Sequence, residues 1–74
     1  MMDMIMNVIV DRILNDEKKM ERIANIATRH DRLGQVRKYI CALSREYRVK
    51  FTNDQAESMA WKIVDTVYYG RKAE

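Results

Sequence analysis

The chain contains no proline and only two glycines, Gly34 and Gly70, in 74 residues. Tight turns draw heavily on those two residue types, so a fold of many short strands is excluded. The expected class is all-α, a small bundle of three to four helices. The length allows one domain, residues 1–74, and a core of this size carries only a small margin of stability. Cys41 is the sole cysteine, so no disulfide can form within the chain. Self-association is the remaining route to extra stability, and a homodimer is expected. A small chain without a disulfide framework also points to a reducing, cytoplasmic setting.

Periodicity places the helices at about 2–14, 16–30, 34–47 and 53–69. The first is apolar around most of its circumference, broken only by Asp3, Asn7 and Asp11 four residues apart. It starts with an acid and has no basic residue before Arg12, unlike a signal peptide. Its apolar run is also too short for a membrane span. Burial in a core or a dimer interface is the expectation.

Asn15-Asp16 reads as a break and N-cap. Beyond it, Ile26, Leu33, Ile40 and Tyr47 recur every seven residues, with Val36 and Leu43 between them. The polar stretch His30–Gly34 suggests a turn at residues 31–34 that divides this region into two helices. The last helix carries a capping box, Thr52-Asn53-Asp54-Gln55, and an apolar face of Ala56, Met59, Ala60, Ile63, Val64 and Val67. Gly70 is expected to close it. Trp61 and Tyr68 flank that face.

Nothing in the sequence supports catalysis. His30 and Cys41 lie eleven residues apart, about 16 Å along a helix, too far for a nucleophile pair. Two ligands do not make a zinc site. Cys41 is expected in the core and His30 at the surface. The acidic pairs Asp16/Glu17 and Asp54/Glu57 sit where helix N-termini favour negative charge. The expectation is therefore a non-enzymatic protein with no cofactor and no metal.

Two binding readings remain. In the leading one the chain binds a partner protein, as an adaptor or inhibitor, through Met2, Ile5, Met6, Ile9, Trp61 and Tyr68. The alternative follows from charge. Residues 29–50 hold seven basic and two acidic side chains, a surplus of +5, whereas 1–28 and 51–74 are each at −1. A dimeric helix-turn-helix-like regulator would contact nucleic acid through Gln35, Arg37, Lys38, Arg45, Arg48 and Lys50.

Overall fold

The computed structural model describes the backbone of residues 2–73 and the side chains of residues 3–67. Four helices follow one another: α1 (Met2–Leu14), α2 (Glu17–Ala24), α3 (Arg29–Glu46) and α4 (Asn53–Ala73). The described residues contain no strand. The Cα radius of gyration is 11.7 Å, close to the roughly 11 Å expected of a compact chain of this length.

Each junction has a local cause. Between α1 and α2, Asp16 is the N-cap, and its carboxylate accepts from the Lys19 amide at 3.1 Å. That contact, together with the Lys19 ammonium at 3.0 Å, holds the Asp16 carboxyl below its ordinary value of 3.8. At the start of α4 the Gln55 amide donates to Thr52 Oγ1 at 3.1 Å and the Thr52 amide donates to Gln55 Oε1 at 2.9 Å. This is the reciprocal capping box expected from the sequence.

The break in the middle lies at residues 25–28, not at 31–34. Thr28 is the N-cap of α3, its hydroxyl accepting from the Asp31 amide at 3.1 Å. Arg32 reaches back to close the preceding helix, donating from Nε to the Ile26 carbonyl at 2.9 Å and from Nη2 to the Ala24 carbonyl at 3.1 Å. Those carbonyls have no acceptor role left within α2, so the arginine fulfils the part of a C-cap. His30–Gly34 therefore forms the opening turns of α3, and Gly34 sits inside a helix.

Helix α3 ends at Tyr47 with Arg48 in the left-handed region, φ 56°. The Val49 amide donates to the Ser44 carbonyl at 2.9 Å and the Arg48 amide to the Arg45 carbonyl at 3.2 Å. Those two bonds define a Schellman motif, with arginine where glycine is usual. Gly70 does not end α4, which continues to Ala73. A helical glycine costs only about 1 kcal/mol, and no proline follows to force a stop.

The core is drawn from all four helices. Ile9 and Ile13 of α1, Ile23 of α2 and Val36, Ile40 and Leu43 of α3 enclose Met59, Ala60, Ile63, Val64 and Val67 of α4. Among the described residues, no polar side chain is buried with them. Helix α4 touches every other helix and packs most extensively on α3. Helix α1 buries Ile9 and Ile13 and half-buries Ile5, Met6, Val10 and Leu14, yet leaves Met4 and Val8 exposed.

Candidate nucleic-acid interface

Helix α3 is the element that presents the basic segment. Its inner face holds Val36, Ile40 and Leu43 in the core. The 3.6-residue period then turns Gly34, Arg37, Lys38, Cys41 and Arg45 outward, and all five are exposed. Arg37, Cys41 and Arg45 form one row, eight residues or about 12 Å from end to end. Arg48 and Lys50 continue the exposed charge into the loop before α4.

The seven basic residues of this segment divide into two groups by what they touch. Arg29 pairs with Asp65, and its guanidinium lies 4.5 Å from the centre of the Trp61 ring. Arg32 closes α2, as described. Both are occupied in holding helices together. Arg37, Lys38, Arg45, Arg48 and Lys50 form no ion pair among the described residues. The acids of the segment do not neutralise them. Glu46 pairs with Arg12 of α1 at 3.2 Å, and Asp31 occupies the first turn of α3, where the helix dipole favours it.

Gln35 is half-buried and turns away from this row. Of the six side chains nominated for nucleic acid, the five cations are exposed, three on the outer side of α3 and two in the loop after it, and the one amide is half-buried. Between the cations the surface is low: Gly34, Cys41 and Ala42 are small and exposed. A Cβ on Gly34 would meet nothing within 4 Å, so no intramolecular packing requires glycine there. A groove of about 260 Å³ runs beside the row, lined by Arg37, Ile40, Cys41, Ser44, Phe51 and Ala56.

Cys41 is exposed, not in the core as expected. The seven-residue seam drifts around a straight helix, and the 3–4 spacing through Val36, Ile40 and Leu43 leaves position 41 one step outside it. His30 is exposed in the first turn of α3.

The apolar anchors nominated for a partner protein are placed differently. Ile9 is fully buried in the chain's own core, which removes it from any partner surface. Ile5 and Met6 are half-buried and pack against that core. Trp61 is likewise half-buried, with its ring under Arg29 and its indole N–H donating to Glu57 Oε1 at 3.4 Å. The side chains of Met2 and Tyr68 lie outside the described residues. Met4 and Val8, absent from the expected anchors, are the exposed apolar residues among the described side chains of α1. The signal available for them was the phase of the buried positions Ile9 and Ile13, which puts 4 and 8 on the opposite side.

Among the described residues, no helix is long and apolar enough to cross a membrane. No protein-family model, curated protein or solved structure matches the chain.

Proposed function

We propose that the chain binds the sugar-phosphate backbone of nucleic acid through the outer side of α3 and the loop that follows it. The observation that carries this reading is the separation of the basic segment into engaged and unengaged cations. Arg29 and Arg32 hold the fold, while Arg37, Lys38, Arg45, Arg48 and Lys50 are exposed without an ion pair among the described residues. Like charges gathered on one side repel, and a polyanion relieves that repulsion while releasing its own counterions.

The side chains also indicate what kind of recognition to expect. Lysine and arginine grip phosphate, whereas sequence is read by groups aimed at base edges. Gln35, the natural partner of adenine, is half-buried and off the row. Adenine readout by Gln35 is therefore not part of the proposal, and its binding energy comes from phosphate contacts. The low track at Gly34, Cys41 and Ala42 lets a strand approach the helix closely between the flanking cations.

A partner-protein module draws less support, because its nominated anchors Ile5, Met6, Ile9 and Trp61 are wholly or partly engaged within the subunit.

The test is binding of a labelled mixed-sequence duplex, followed by anisotropy across a salt series. Micromolar or tighter binding is expected, with log K falling against log salt at a slope of about −3 to −4.5 for up to five neutralised phosphates. Arg37→Ala/Lys38→Ala should weaken binding and flatten the slope by about two. Lys18→Ala/Lys62→Ala, which removes the same charge elsewhere, should leave both nearly unchanged. Absence of binding at low salt, or equal losses from the two double variants, would overturn the proposal.

A further inference from the structure

The large apolar side chains exposed among the described residues are Met4 at 70 %, Val8 at 42 % and Tyr47 at 38 %. They are not scattered. Met4, Val8 and Arg12 follow one another at four-residue spacing and so form a single row along α1. The Arg12 guanidinium donates from Nη1 to the Tyr47 hydroxyl at 3.1 Å and lies 5.9 Å from the ring centre. The row therefore runs from Asp3 and Met4 at one end, over Val8, to Arg12 and Tyr47 at the other.

From this arrangement we infer that α1 docks antiparallel on the α1 of a second copy of this chain, about a two-fold axis passing near Val8. The row is complementary to itself when reversed, with an acid at one end, a base at the other and apolar side chains between. With about 1.5 Å of rise per residue, Met4 and Arg12 each stand about 6 Å from Val8 along the helix. Turning a second copy by half a revolution sets Val8 against the partner subunit's Val8. It places Met4 beside the partner subunit's Tyr47, a sulfur–aromatic contact. The same rotation brings Asp3 within reach of the partner subunit's Arg12.

Arg12 has the hydrogen-bonding capacity for this. Its bonds to Glu46 and Tyr47 both leave from Nη1, at 3.2 and 3.1 Å, and Nε and Nη2 make none among the described residues. A second carboxylate can therefore be taken without breaking the first pair. Antiparallel helices also oppose their dipoles favourably. The pairing covers all three exposed apolar side chains at once. It leaves the outer row of α3 free, so the inference stands or falls independently of the nucleic-acid reading. Closed two-fold dimers made from one self-complementary patch are the commonest soluble assemblies.

The patch is small, and the association is expected in the micromolar range. Sedimentation velocity over a micromolar dilution series should take the chain from monomer to dimer. Val8→Lys, at an exposed site, should sediment as a monomer throughout while its circular dichroism matches the parent and its melting temperature matches that of the parent diluted to its monomeric range. In a Cys41→Ser background, Val8→Cys should form a disulfide-linked dimer under mild oxidation, and Lys18→Cys should not. A chain that stays monomeric to high micromolar concentration would overturn the inference. So would a dimer that survives Val8→Lys, or one in which Val8→Cys fails to cross-link.

Discussion

The Arg29 guanidinium lies 4.5 Å from the centre of the Trp61 ring, which ties the first turn of α3 to the middle of α4. The same side chain pairs with Asp65, one turn further along α4. An exposed cation–π contact is worth about 0.5–1 kcal/mol, and a half-exposed ion pair adds less than about 1 kcal/mol. Arg29→Ala should therefore cost about 1 kcal/mol in urea unfolding and alter the emission of Trp61. Because Arg29 is not among the unengaged cations, the salt slope of nucleic-acid binding should change far less than it does for Arg37→Ala.

Arg48 adopts φ 56° to complete the Schellman motif at the end of α3. A non-glycine residue in that region carries about 1 kcal/mol of strain, which glycine lacks. Arg48→Gly should raise the urea midpoint, and Arg48→Val should lower it, since a β-branched side chain fits that backbone worst. The glycine variant should at the same time lose about one unit of salt slope, dividing stability from binding.

Gly34 occupies an exposed interior position of α3 with open space where a side chain would stand. Gly34→Ala should stabilise the fold by about 1 kcal/mol, as alanine is the better helix former. If the duplex backbone passes over this point, the same change weakens binding despite the gain in stability. Thermal melts and anisotropy on one preparation check both.

Acid should loosen α2 first. The Lys19 amide, and then its ammonium, hold the Asp16 carboxyl below its ordinary value of 3.8. A depressed folded value means that this stabilisation is fully present above the unfolded value. It is lost as pH falls through the lower folded one. Hydrogen exchange should show the α2 amides losing protection below about pH 4 before those of α4 do. Asp16→Ala should remove that difference and lower the urea midpoint at neutral pH.

Much of this architecture is legible in the sequence, and the misses have identifiable causes. The α4 start could be placed because Thr52 and Gln55 are a reciprocal pair, and five of its six expected apolar positions are buried. The α2–α3 break was displaced because Gly34 and the polar residues before it resemble a turn. The cap of α3 is instead Thr28, three residues before Asp31, whose amide it accepts. What local patterns could not supply was Arg32 reaching back across the turn to Ala24 and Ile26, a contact that exists only once the chain has folded. Cys41 lies one step outside the apolar arc of α3, where a shift of one position exchanges inside for outside. Ile9 stands in the middle of the apolar arc of α1, and a helix apolar around most of its circumference does not reveal from its pattern which part meets its own core. The basic segment was visible as charge, but its division into engaged and unengaged cations depends on tertiary partners that charge counting does not see.

Among the described residues the core is wholly apolar, and apolar attraction has no direction of its own. Inside it, only the fit of side-chain shapes distinguishes the correct stacking of four short helices from a slipped one. Directional ties are added at the periphery, among them three arginines: Arg12 ties α1 to the end of α3, Arg29 ties α3 to α4, and Arg32 links α2 to α3. A chain with all three replaced by methionine would keep its greasy interior and its helices while losing its unique arrangement. Its near-ultraviolet dichroism would fade, and its far-ultraviolet spectrum would persist.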